Sequence, residues 1–211
     1  LLDSPINLKI ISRGKPKVLR KHPEGGIADW FNEKELFPTR IDGKTRYFLK
    51  VVFEDKDETL QLSDNALNLI KDSSVFSQGQ TQMSMIDTEL INYIQNLDKE
   101  AQKQCIDKYI FIKSTKEASL YIPVKPLRVN TTYTVILNPG IVHFKGDKSQ
   151  TNDSITWTFS TMPIPVVTGI YLGSVPEDYD EDEPVILYGD SFSENAEVYF
   201  NDIKAEKVKL K

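Results

Sequence analysis

The chain has 211 residues, 39% hydrophobic and 27% charged. These proportions are ordinary for a globular chain and exclude a wholly disordered one, and at ~150 residues per domain the length corresponds to about one and a half domains. No apolar run nears the ~20 residues of a membrane-spanning helix, the net charge of -5 argues against a general nucleic-acid binder, and one cysteine, Cys105, excludes an internal disulfide and any cysteine-built zinc site.

Composition thus reads as soluble, mostly β and non-enzymatic. The charge is uneven. Residues 1 to 22 carry six basic groups (Lys9, Arg13, Lys15, Lys17, Arg20, Lys21) against Asp3, whereas residues 164 to 211 carry eleven acids against four lysines. Such asymmetry marks either a partner surface or a solvated arm and loop. The chain opens at Leu1 with neither an initiator Met nor a signal peptide, as a processed or excised segment would.

In chain order, the segment up to about residue 45 reads as irregular and packed on the first domain. Within it, Ile6 to Ile11 alternates as a strand would. Ala28 to Leu36 reads as a short helix carrying Trp30, Phe31 and Leu36, stopped by Pro38. Arg46 to Glu54 (RYFLKVVFE) is aromatic and β-branched, hence a strand. Ala66 to Ile70 suggests a short helix, and Ser73 to Ser84 is polar and loop-like. Ile86, Leu90, Ile94, Leu97, Ala101 and Cys105 then recur at helical spacing. They predict one amphipathic helix over 87–104, with Ser84 and Asp87 as an outline capping box. That stripe either docks the helix on the sheet layers or offers a groove to a partner.

Beyond Cys105 strands return: Tyr109 to Lys113, Ser119 to Pro123, Thr131 to Asn138 and Ser154 to Thr161. The last alternates so that Ile155, Trp157 and Phe159 share the buried face. Asn138-Pro139-Gly140 and Gly146-Asp147 carry turn chemistry. Short strands with closely spaced turns point to a sandwich. Met162-Pro163-Ile164-Pro165 is a stiff joint, placing a domain boundary near Pro163. Val166 to Leu172, Val185 to Tyr188, Ala196 to Phe200 and Lys204 to Leu210 form a second strand set, too few to close a sandwich, so the second domain is expected to be partial.

Leu127 precedes Tyr133 by six residues across a polar turn (PLRVNTTYTV), the spacing of a tyrosine corner. With the closing Thr156-Trp157-Thr158-Phe159-Ser160-Thr161, this stretch resembles the bacterial Ig-like domain family first described in S-layer proteins. The resemblance is good over residues 107 to 163 and extends to Arg46–Glu54. It lapses over 63 to 105, which reads as a helical insertion. From Pro165, the Gly169-Ile170 pair, the strand Val185–Gly189 with Phe192 after it, and Val198-Tyr199-Phe200 resemble the start of an IPT/TIG Ig-like domain. The resemblance implies a mainly β fold of tandem Ig-like β-sandwiches: 46–163 with the helical insertion, then a partial sandwich at 164–211. It also implies a non-catalytic module of a larger secreted or surface protein.

Candidate chemistry is sparse. In the acidic run Glu177 to Glu183, Asp178, Asp180 and Asp182 match the first three positions of an EF-hand loop. Glu183 then stands where glycine is needed and Gly189 where glutamate is needed, leaving a solvated loop or a looser calcium site. His22 and His143 have no partner at metal-ligand spacing, and His143 suits a hydrogen-bonded structural role. No Gly-x-Ser-x-Gly elbow, dinucleotide fingerprint or phosphate loop occurs, and no carboxylate pair stands out. Trp30 with Phe31, and Tyr47 with Phe48, either stack on sugars or pack in a core. Asn130-Thr131-Thr132 and Asn152-Asp153-Ser154 are glycosylation sequons.

The expectation is therefore a structural, spacer or adhesion module of a bacterial cell-surface or S-layer-type protein, located outside the cell. It has no assigned catalytic, cofactor-binding or metal-binding residue and no cofactor. Its expected partners are neighbouring domains of the same chain and, at most, a cell-surface protein or polysaccharide, with no nucleic acid and no membrane span. The alternative is a carbohydrate- or protein-binding module using the helical insertion or the Trp30 region, including one that flanks a polysaccharide-processing enzyme.

Overall fold

The computed structural model describes residues 14–28, 37–79, 83–161, 165–171, 185–192, 196–200 and 203–205. The chain divides into two compact units, Leu1–Thr161 and Met162–Lys211. The Ile6–Ile11 strand, the Trp30–Leu36 portion of the expected helix, residues 162–164 of the Pro163 joint and the acidic run Glu177–Glu183 lie outside the described residues.

In chain order the first unit contains β1 (Val18–His22), β2 (Ile27–Ala28), β3 (Thr39–Ile41), β4 (Lys44–Asp55), β5 (Leu60–Leu62) and α1 (Ala66–Lys71). Next come β6 (Ser74–Ser77), α2 (Thr88–Gln95), α3 (Lys99–Tyr109), β7 (Phe111–Ser114) and β8 (Lys116–Val124). The last four are β9 (Thr132–Leu137), β10 (Val142–Phe144), β11 (Asp147–Thr151) and β12 (Ile155–Thr161). The unit is mainly β and sandwich-like. One sheet runs β1-β4-β8-β7, with β3 paired to the start of β4, and the other runs β2-β12-β9-β6. A smaller sheet runs β11-β10-β5. Pairing is antiparallel except for β2, which lies parallel to β12.

Period-two alternation sets the buried face of β9 and β12, whereas β4 is buried on both faces, Phe48 and Val52 included. Leu49, Val51 and Phe53 of β4 and Ala118, Leu120, Ile122 and Val124 of β8 are buried. Tyr133, Val135 and Leu137 of β9, with Ile155, Trp157 and Phe159 of β12, join them in one apolar cluster, so the face expected of β12 is the one buried. Each large apolar side chain among them contributes about 1.5–3 kcal/mol by leaving water, and the Ala118 methyl about 0.8 kcal/mol. Tyr133 stacks on Phe159, its register partner, with ring centroids 5.8 Å apart. Its hydroxyl accepts the Arg128 N–H at 2.8 Å, the back-bond that the Leu127–Tyr133 spacing predicts.

Several local expectations are corrected. The described part of the N-terminal segment is not irregular: β1 pairs with β4, β2 with β12, and β3 with β4. Ala28, expected to start a helix, belongs to β2. Ser74–Ser77, expected as loop, is a strand because β9 supplies its hydrogen bonds and Val75 finds a buried site. The single helix over 87–104 is two, broken at Asn96–Asp98. Asp87 caps α2 by accepting from Leu90 N–H, and Asp98 caps α3 by accepting from Glu100 and Ala101 N–H. An aspartate that satisfies orphan amides starts a new helix more readily than it continues an old one. The stripe is accordingly uneven: Ile86, Leu90 and Ile94 are fully buried, while α3 buries no residue completely. Tyr109, expected in a strand, ends α3.

The second unit contains β13 (Val166–Tyr171) paired with β14 (Ile186–Asp190), and β15 (Tyr199–Phe200) paired with β16 (Ile203–Lys204). Of the expected Lys204–Leu210 strand, Lys204 lies in β16, Ala205 is outside any strand and 206–210 lie outside the described residues. Gly189 faces a close crossing of strands. A Cβ there would stand 1.9 Å from the Val166 carbonyl oxygen and 2.7 Å from Phe192, so only glycine fits.

Candidate functional site

The face of the first sheet that carries Phe48, Lys50 and Tyr121 holds an aromatic cleft whose rings pack at the margin of the apolar cluster. Strand register places Phe48 and Tyr121 in its lining and Lys50 and His22 at its border. His22 of β1 pairs with Lys50 of β4, and Lys50 pairs with Tyr121 of β8, so three neighbouring strands present these side chains in one row. Phe48 stands two residues from Lys50 on the same face and is 2% exposed, the floor of the cleft. The C-terminal turn of α3 contributes Lys108 and Tyr109, β7 contributes Ile112, and the approach to β3 contributes Phe37 and Thr39. The cleft holds about 180 Å³.

The rings meet edge to face. Phe37 lies 5.5 Å from Tyr121 at 86°, Phe48 lies 6.2 Å from Tyr121 at 85°, and His22 lies 6.3 Å from Phe37 at 88°. This packing suits the ring quadrupoles and holds each ring in place. The Lys50 ammonium sits 5.4 Å from the centroids of both Phe37 and Tyr121, and that of Lys108 sits 5.0 Å from Tyr109. A hydrogen bond with Tyr109, reinforced by charge, holds the Lys108 ammonium above its ordinary pKa. Among the described residues neither lysine forms an ion pair. Phe37 keeps a left-handed backbone, φ 42°, unusual for a bulky residue.

Two charge clusters flank the cleft on the same sheet. Arg20 grips Glu117 through two parallel hydrogen bonds of 3.0 and 2.7 Å, holding that carboxyl below its usual range. Arg46, 5% exposed, bonds to Asp42 at 2.6 Å, Asp87 at 3.0 Å and Glu89 at 3.4 Å, and Lys44 also bonds to Glu89. These contacts fasten the β3–β4 turn to the start of α2.

Of the residues singled out from sequence, Tyr47 and Phe48 lie in β4, and only Phe48 lines the cleft. His22 borders it through Phe37, while Trp30 and Phe31 lie outside the described residues. His143 is buried in β10 with Nδ1 2.8 Å from the Phe144 carbonyl oxygen. Cys105 is half-buried in α3, and burial pushes its thiol up. Asn152 is 2% exposed, and its side-chain amide donates to the Asn138 and Asp153 carbonyls while accepting from Val142 N–H. Its sequon is therefore consumed by the fold, whereas Asn130 is exposed in a turn. Among the described residues no group of three or more His, Cys, Asp or Glu side chains is placed to hold a metal ion, and no helix is long and apolar enough to cross a membrane.

Sequence reading missed Phe37, Lys50, Lys108, Tyr109 and Tyr121 as a group. The usable signal was Lys50, the one charged residue among the apolar residues 47–53 of β4. No family model, curated protein or solved structure matches the chain.

Proposed function

We propose that the chain is a non-catalytic structural, spacer or adhesion module of a larger bacterial cell-surface protein of the S-layer type. In this reading the first unit is an Ig-like β-sandwich whose helical insertion, expected at about 63–105, narrows to α2 and α3 because β6 within that range serves as a sheet strand, and the second is a partial IPT/TIG-like sandwich. The observation that carries it is strand order. An Ig sandwich places strands A, B, E and D in one sheet and C, F and G in the other. Labelling β1, β4, β8 and β7 as A, B, E and D, and β6, β9 and β12 as C, F and G, gives that order in both sheets, with β3 added beside β4 and β2 beside β12. Helices α2 and α3 then fall between C and D, and Tyr133 occupies the corner position of strand F. The function would be positional: sandwich walls that space their neighbours without a reacting group.

The test is antibody labelling of intact source cells. Labelling without permeabilisation is expected; labelling that appears only after lysis rejects the surface assignment. A second reading, a carbohydrate- or protein-binding module, is favoured by one feature, the aromatic cleft with Lys108 in its lining and Lys50 beside it over Phe37 and Tyr121.

A further inference from the structure

We propose that the cleft between β4, β8, β7 and the end of α3 binds one carboxylated pyranose, a uronic-acid residue of an acidic polysaccharide. This rests on the binding-module reading. Size limits the occupant first. The cleft's 180 Å³ equals about six waters at ~30 Å³ each and falls below the ~300 Å³ where drug-sized ligand sites begin. It takes a single ring, not a helix or an extended peptide.

The walls specify the face of that ring. Phe37, Tyr109 and Tyr121 are each partly exposed around the buried Phe48. Aromatic faces are negative, and the C–H face of a pyranose is weakly positive, so the two pack together.

The charge specifies its substituent. Three basic side chains of this sheet have carboxylate partners: Arg20 has Glu117, Arg46 has Asp42, Asp87 and Glu89, and Lys44 has Glu89. Lys50 and Lys108 instead rest over rings. An ammonium held over aromatic faces keeps donors for a carboxylate at the rim and has already lost much of its rotamer freedom, which lowers the cost of binding. Phe37 retains its left-handed backbone while its ring helps form this wall. Strain of that kind collects where a site is built.

The test is calorimetric titration of the whole 211-residue chain with galacturonate oligomers, their methyl esters, glucose oligomers and poly-glutamate, at low salt. Binding of the galacturonates alone is expected. Lys50→Met and Lys108→Met should each weaken it about tenfold, and Tyr121→Ala should do the same, with folding checked by thermal melting. Lys148→Ala, at an exposed pair with Asp64, should leave it unchanged. Methyl esters bound as tightly as the acids would overturn the charge assignment while leaving the binding-module reading in place. No binding to any sugar overturns both this proposal and the carbohydrate form of that reading. Poly-glutamate bound equally well replaces the sugar by an acidic protein partner. Galacturonate binding that the lysine variants leave intact overturns the location.

Discussion

Arg46 joins three carboxylates drawn from two parts of the chain, Asp42 in the β3–β4 turn and Asp87 and Glu89 at the start of α2. Its side chain is 6% exposed and that of Asp87 is 9% exposed, so removing the guanidinium strands buried charge. Arg46→Met should cost about 3 kcal/mol in urea unfolding at neutral pH. The same contacts predict an acid limb. Hydrogen bonding to Arg46 holds the Asp42 carboxyl below its ordinary value, and Lys44 and then Arg46 do so for Glu89. A carboxyl whose pKa is lower folded than unfolded contributes stability above the unfolded value of ~4, lost as pH falls through the folded one. Urea midpoints of the native chain should therefore fall steeply below about pH 4, and the gap between native and Arg46→Met should narrow there. Tyr133 tests a second contact: Tyr133→Phe keeps the ring on Phe159 but leaves the Arg128 N–H without its acceptor, at a cost of about 1 kcal/mol by the same measurement.

The two helices inside 63–105 differ in what holds them. α2 buries Leu90, Ile91 and Ile94, so packing secures it. α3 has no fully buried residue and relies more on its N-cap, where Asp98 accepts from two backbone amides. Asp98→Ala should cost about 1 kcal/mol, and backbone hydrogen exchange should show the loss concentrated in 99–109. Because α3 ends at the cleft with Lys108 and Tyr109, the same variant should weaken any cleft ligand without touching it directly. The β3–β4 hairpin is equally local in origin. Asp42 and Gly43, with φ of 51° and 80°, form the two-residue turn that matches strand twist.

The residues of the apolar cluster, from Ile41 to Phe159, all belong to the first unit. Truncation after Thr161 removes none of them. The 1–161 chain should melt within ~2 °C of the main transition of the full chain, since a loss below about 0.5 kcal/mol moves the midpoint no further. The second unit presents Val166, Val167, Ile170, Tyr171 and Tyr188 at half exposure or more. A two-stranded pairing with such faces is marginal alone.

Local chemistry in the chain was enough to identify β4 and β12 as strands and to give the buried face of β12. Residues 155–161 repeat with period two, and period two has one structural meaning, while residues 46–54 were legible from their aromatic and β-branched composition. The tyrosine corner was equally legible, since its donor and acceptor lie five residues apart. Short strands such as β1, β3 and β6 were not, because three to five residues carry too little pattern, and the hydrogen bonds of β1 and β6 come from distant partners. The helix break at Asn96–Asp98 was hidden because the apolar spacing runs on across it, although Asp98 held the cap signal. The cleft was hidden more deeply. Phe37, Phe48, Lys50, Lys108, Tyr109 and Tyr121 meet only after β4 pairs with β8 and α3 closes onto β7, and contacts spanning tens of residues leave no trace in local periodicity.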